Sequence, residues 1–200
     1  MGIILNESVE DLISSDESLE KNKKQEEYLE YIKEHVLNVQ RAFQLHFLPL
    51  LDKQFISSKL SDEEIKSAIQ TAAKYVLVHD ASKYGDEEFD GYREKYYPTA
   101  REKADPDFEK ISYEKSEIAW IHHYENNPHH PMYWVKENGE IEDMTLAYII
   151  EMLSDWFAMS MKYHSDTWEW YREKAVKEKA AMTDRTKEIV EEFLFEIIKR

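Results

Sequence analysis

The chain has 200 residues, only four glycines and five prolines, and 34% charged residues, which leaves too little turn chemistry for a many-stranded sheet and predicts an all-α fold. A formal net charge of −16 repels polyanions and excludes a general nucleic-acid or anionic-membrane binder, although a small anion can still bind beside a basic group or a metal. The absence of cysteine excludes disulfides and thiolate-metal sites. The lack of a basic leader or a bilayer-length apolar run predicts a soluble, cytoplasmic protein.

In chain order, residues 1–23 are acidic and serine-rich and predict an arm or a weak leading helix. Residues 24–200 read as a single helical domain, with its core at 28–163 and C-terminal helices over 166–200. Apolar periodicity predicts a first helix over 25–51. A second covers 61–82 and opens on a Ser61–Glu64 capping box. The aromatic and charged segment 85–107 reads as a loop with short helical pieces. Helix returns over 107–125 and stops at Asn126-Asn127-Pro128. After a turn at Gly139, helices are predicted over 144–163, 166–181 and from Thr183 to the C-terminus.

Several inward faces carry ionisable groups. On the second helix, Ile65, Ala68, Ile69, Ala72, Val76, His79, Asp80 and Lys83 share one stripe, so an apolar face turns ionisable at its end. The first helix puts Tyr28, Ile32, His35, Val39, Phe43 and His46 inward. His35 and His46 lie about 16 Å apart along the axis, so only one of them joins a given site. His122 shares a side with Ile111 and Ile118, while His123 points about 100° away. Asp155 lies in LAYIIEMLSDWFAMSM, a helix apolar nearly all round, and so must be compensated inside the fold.

A lone inward histidine is usually a hydrogen-bonded core residue, and a lone inward aspartate an ion-pair partner. Four helices that each send an imidazole or a carboxylate inward make a ligand set instead. That set suits Fe, Mn or Zn, with carboxylate and water also suiting Mg.

The order His35, His79-Asp80, His122-His123, Asp155 resembles the HD superfamily of metal-dependent phosphohydrolases. HVLNV at 35–39 resembles the first-histidine helix, VHDASK at 78–83 the His-Asp-x-x-Lys stretch, AWIHHYENNPHH at 119–130 the double-histidine turn of the HD-GYP branch, and IIEMLSDWFAM at 149–159 the segment of the last metal aspartate. The glycine-rich ending of that branch is absent, as is the extra histidine between the His-Asp pair and the double histidine. A closer resemblance is to a domain-of-unknown-function family of bacteria and their phages.

The resemblance implies a bundle of about five core helices in which His35, His79, Asp80 and Asp155 ligate one divalent ion (Mn, Fe, Zn, Co or Mg). It further implies that Lys83 steadies a phosphate and that Asp80 belongs to the catalytic set. His122, with His123, His129 and His130, then holds a second metal, or His122 acts as general acid. Tyr84 and Arg93, in the aromatic and basic segment after the His-Asp pair, and Tyr133 are the substrate-binding candidates. The competing reading of that segment is a loop folded onto the body by its aromatics. The expected function is hydrolysis of a phosphate ester of a nucleotide or similar small molecule. The alternative is a degenerate HD bundle that binds a nucleotide or a protein without catalysis. A ferritin-like oxidase is excluded because paired Glu-x-x-His motifs are missing. The apolar last helix, IVEEFLFEII, raises the expectation of a homo-oligomer.

Overall fold

The computed structural model describes residues 9–53, 55, 57 and 59–198, with side chains from residue 16 onward. Among these residues it holds nine α-helices and no strand, in agreement with the all-α expectation. No helix among them is long and apolar enough to cross a membrane. The fold divides into two compact units: one takes in Met1–Ile32 and Lys83–His122, the other Lys33–Ser82 and His123–Arg200.

In the first unit, helix α1 (Val9–His46) begins well before residue 25, so from Val9 onward the acidic stretch is helix and not an arm; residues 1–8 lie outside the described residues. Tertiary partners hold it there. Glu20 accepts a hydrogen bond from the backbone N–H of Ala100 at 2.9 Å, and Glu17 pairs with Arg101. Segment 85–107 folds as α3 (Phe89–Tyr96) and α4 (Ala100–Ala104), the latter opened by a Thr99–Glu102 capping box. Its aromatics pack inward, with Tyr28 of α1 buried between the rings of Phe89 and Tyr97 at 5.1 and 5.8 Å. Helix α5 (Phe108–Asn126) buries Ser112, Ser116 and Ala119, not Ile111 and Ile118. The cause is close approach: a Cβ added to Gly91 of α3 would stand 2.8 Å from the Lys115 carbonyl oxygen and 3.0 Å from the Ala119 Cβ, so only small side chains fit there.

The core of the second unit is built on α6 (Leu146–Tyr163), whose Ile149, Ile150 and Leu153 pack with Ile65, Ile69 and Ala72 of α2 (Asp62–Tyr75). The capping box expected at Ser61 is present, with Glu64 accepting from the Ser61 N–H at 2.8 Å. Pro49 ends α1 at His46 and leaves a 3-10 turn over Leu48–Asp52, since the ring removes a donor and disfavours helix in the residue before it. The helix expected over 166–181 is broken into α7 (Thr167–Glu173) and α8 (Val176–Ala180). The last helix, α9 (Asp184–Ile198), buries Ile189, Val190, Phe193, Leu194 and Ile197 in this unit's own core. The apolar face that raised the expectation of an oligomer is therefore largely used within the chain. His164 caps α6 in the left-handed conformation at φ 51°.

Candidate metal centre

Helix α2 ends at Tyr75, so His79 and Asp80 do not lie on its last turn as the stripe predicts. Two β-branched residues, Val76 and Val78, weaken helix there. The side chain of Gln40 donates to the Val76 carbonyl at 3.3 Å and satisfies the open helix end. A tight turn follows, with Asp80 at φ 58°. Aspartate tolerates this left-handed conformation better than most residues, and such backbone clusters where a side chain must be aimed.

The turn aims Asp80 into a nest of imidazoles, all within the second unit. Its Oδ2 lies 3.3 Å from His35 Nε2 and 3.6 Å from His79 Nε2; its Oδ1 lies 3.2 Å from His123 Nε2 and 3.6 Å from His129 Nε2. Asp155 Oδ1, from α6, stands 3.3 Å from His35 Nε2. The His130 ring is 4.2 Å from that of His129 and 4.8 Å from that of His123.

The donor atoms fall into three overlapping groups, each within a span of 4.8 Å: His35, His79 and Asp80; His79, His129 and Asp155; and Asp80, His123, His129 and His130. The two oxygens of Asp80 thus face different imidazoles. Imidazole and carboxylate together are ligands for divalent transition metals. His79 Nε2, His129 Nε2 and Asp155 Oδ1 are buried without a hydrogen-bond partner, which is costly for polar atoms unless a cation meets them. The residues present fit a metal site.

Behind the cluster stands Glu151, one turn before Asp155 and 4% exposed. Its Oε1 lies 3.0 Å from His79 Nδ1 and 3.6 Å from His129 Nδ1. Asn127 donates its two amide hydrogens to Ser82 Oγ at 2.6 Å and to the His123 carbonyl at 2.7 Å. Ser82 Oγ, 3.3 Å from His123 Nδ1, then has a lone pair to accept the Nδ1–H and leave Nε2 turned to Asp80. Burial opposes charge on His79, but Asp80, Glu151 and Asp155 outweigh it and push its pKa up to about 9. His129 is driven the other way, well below the ordinary histidine value, by burial and then by the neighbouring imidazoles His130 and His79.

Four of the residues read from sequence, His35, His79, Asp80 and Asp155, meet here, joined by His123, His129 and His130. The others belong to the first unit or line the surface. His122 bonds through Nδ1 to the buried Glu88 at 2.8 Å, so the two neighbours on α5 exchange the roles read from the Ile111–Ile118 face: His123 is 1% exposed and His122 is not in the cluster. Lys83 sits with its ammonium 5.9 Å from the centre of the Tyr92 ring. Arg93 is fully buried and held by Glu102 at 2.7 Å and Glu94 at 3.3 Å, so its guanidinium is committed inside the unit and withdrawn as a substrate contact. Tyr84 and Tyr133 are each 44% exposed. The sequence reading missed Glu151, although its place four residues before Asp155 in an apolar helix was a signal; it missed Ser82 and Asn127, which carried none.

A cavity of about 210 Å³ adjoins the cluster, its walls including His129, Glu151, Ser82, Asn127, Tyr75 and Tyr148, with the last two rings stacked at 4.5 Å.

Fold and site together define an all-α protein with a buried imidazole–carboxylate centre of the kind that binds metal. The chain belongs to DUF5662, a family of unknown function, which it matches over residues 24–196. No curated protein and no solved structure matches it.

Proposed function

We propose that this protein is a metal-dependent phosphohydrolase acting on a phosphate ester of a nucleotide or a similar small molecule. The observation that carries the reading is Asp80, with each carboxylate oxygen turned to a different set of imidazoles. His35, His79, Asp80 and Asp155 hold one divalent ion; Asp80, His123, His129 and His130 hold a second. When bound, such ions make water a nucleophile near neutral pH and offset charge on phosphoryl oxygens.

The chain's own residues do the rest. Burial of the imidazoles keeps bulk water from competing for them. Glu151, Ser82 and Asn127 orient the rings from behind. The local positive charge of bound ions offsets an acidic chain that would otherwise repel a small phosphate ester. The resemblance to the HD superfamily also assigns Lys83 to phosphate and His122 to proton donation; the proposal does not depend on either.

The test is turnover of a nucleotide panel by purified protein with added Mn²⁺, Co²⁺ or Mg²⁺, beside Asp80→Ala. Metal-dependent phosphate release that disappears in the variant supports the proposal. Equal release by both proteins, or none with any metal, contradicts it.

The near-complete burial of His79, Asp80, His123 and His129 favours a second reading, a metal centre that stabilises a binding module without catalysis. That reading expects bound metal and a melting temperature that falls on chelation, with no turnover.

A further inference from the structure

We propose that Glu151 is the outer carboxylate that presets one imidazole in each of the two overlapping ion sites. The inference rests on the reading of the cluster as a metal centre.

Glu151 occupies a position where a carboxylate is expensive. It lies on α6 among Ile149, Ile150, Met152 and Leu153, all buried, and is itself 4% exposed. Its ordinary justification in such a place is a partner: His79 is hydrogen-bonded to it, and His129 stands in ion-pair range beside it. One oxygen, Oε1, lies 3.0 Å from His79 Nδ1, a hydrogen-bond distance, and 3.6 Å from His129 Nδ1, where it acts on that ring through charge. The two rings lie 4.3 Å apart between centroids and both turn Nε2 away from Glu151 towards Asp80.

A metal-bound imidazole must present a lone pair on one nitrogen and keep its proton on the other. A carboxylate facing both Nδ1 atoms fixes that choice for both rings. His79 falls in a group with His35 and Asp80, His129 in a group with Asp80, His123 and His130, and the two rings share a third group with Asp155. One side chain therefore acts on both, as a positioning residue that touches neither ion.

The experiment uses the full chain loaded with Zn²⁺, which is diamagnetic. Long-range ¹H–¹⁵N spectra of the histidine rings read the tautomers, and chelator competition reads the affinities. Wild type is expected to show His79 and His129 protonated at Nδ1 only and to bind two equivalents. Glu151→Ala is expected to lose the uniform tautomer at both rings and to weaken both equivalents about 10- to 100-fold. Glu151→Gln keeps one carbonyl oxygen for His79 and should restore that ring's tautomer and one equivalent, which a purely structural role does not predict. Unchanged tautomers and affinities within twofold in both variants overturn the inference while leaving the metal centre standing. A wild-type chain that takes up no zinc overturns the metal reading and this inference with it.

Discussion

His35 Nε2 stands 3.3 Å from Asp155 Oδ1, so the C-terminal third of α1 and the middle of α6 meet at two groups that only a proton or a cation can reconcile with a third, Asp80. Both helices bury apolar residues on either side of these groups: Ile32 and Val39 on α1, Met152 and Ala158 on α6. The site is therefore held by core packing, and its ligands can be altered one at a time.

The first expectation concerns stoichiometry. His35→Ala removes a ligand from one ion site only, and His130→Ala from the other only. Each variant should bind one divalent ion per chain where wild type binds two, by elemental analysis after gel filtration. Loss of both ions in either variant, or of none, contradicts the division into two sites.

A second expectation follows from His79. Its pKa of about 9 means that at pH 7 the ring is protonated, and an incoming ion must displace the Nε2 proton because the Nδ1 proton is held by Glu151. Metal affinity should rise about tenfold per pH unit between pH 7 and 9 from this group, and flatten above. Stability of the metal-free protein runs the other way. A histidine whose folded pKa is raised contributes fully below its ordinary value of 6.5, and the contribution is lost as pH rises through 9. Calorimetric titration in two buffers of different ionisation heat should show about one proton released per chain near pH 7.5. Affinity independent of pH over this range counts against the assignment.

Gly91 tests the close contact between α3 and α5. Gly91→Ala places a methyl 2.8 Å from a backbone oxygen that cannot easily move, and should destabilise the protein by about 1–3 kcal/mol in spite of alanine's better helix propensity. Urea denaturation measures this. An unchanged or raised midpoint means that the helices part freely.

Phe193, fully buried between Phe47 at 5.8 Å and Phe55 at 4.8 Å, anchors α9 to the second unit. Phe193→Ala should cost about 3–5 kcal/mol. A loss below 1 kcal/mol would mean that α9 is not part of the core.

The helical class and the inward turn of His35, His79, Asp80 and Asp155 were legible in the sequence, because apolar periodicity and ionisable interruptions are both local signals. The exact end of α2 was not, since Tyr75 is followed by Val76, whose carbonyl is capped by a glutamine from another helix. Periodicity extended the helix through His79 and Asp80 and reached their inward placement by the wrong geometry. On α5 the weight of Ile111 and Ile118 pointed to the wrong face: 118 is 66% exposed, while serines and an alanine line the contact because Gly91 approaches so closely. Counting large apolar residues cannot see an interface chosen for smallness. Glu151 escaped for a related reason, as a glutamate in a helix is ordinarily solvated and its buried role depends on where α6 lies.

Anomalous scattering from crystals grown with Mn²⁺ shows whether the imidazoles and carboxylates around Asp80 hold metal ions. Two anomalous peaks are expected, one against His35, His79 and Asp155 and one against His123, His129 and His130, with Asp80 touching both and neither peak present in Asp80→Ala. Side chains bonded only to one another, with no peak among them in wild-type crystals soaked in excess metal, would contradict it.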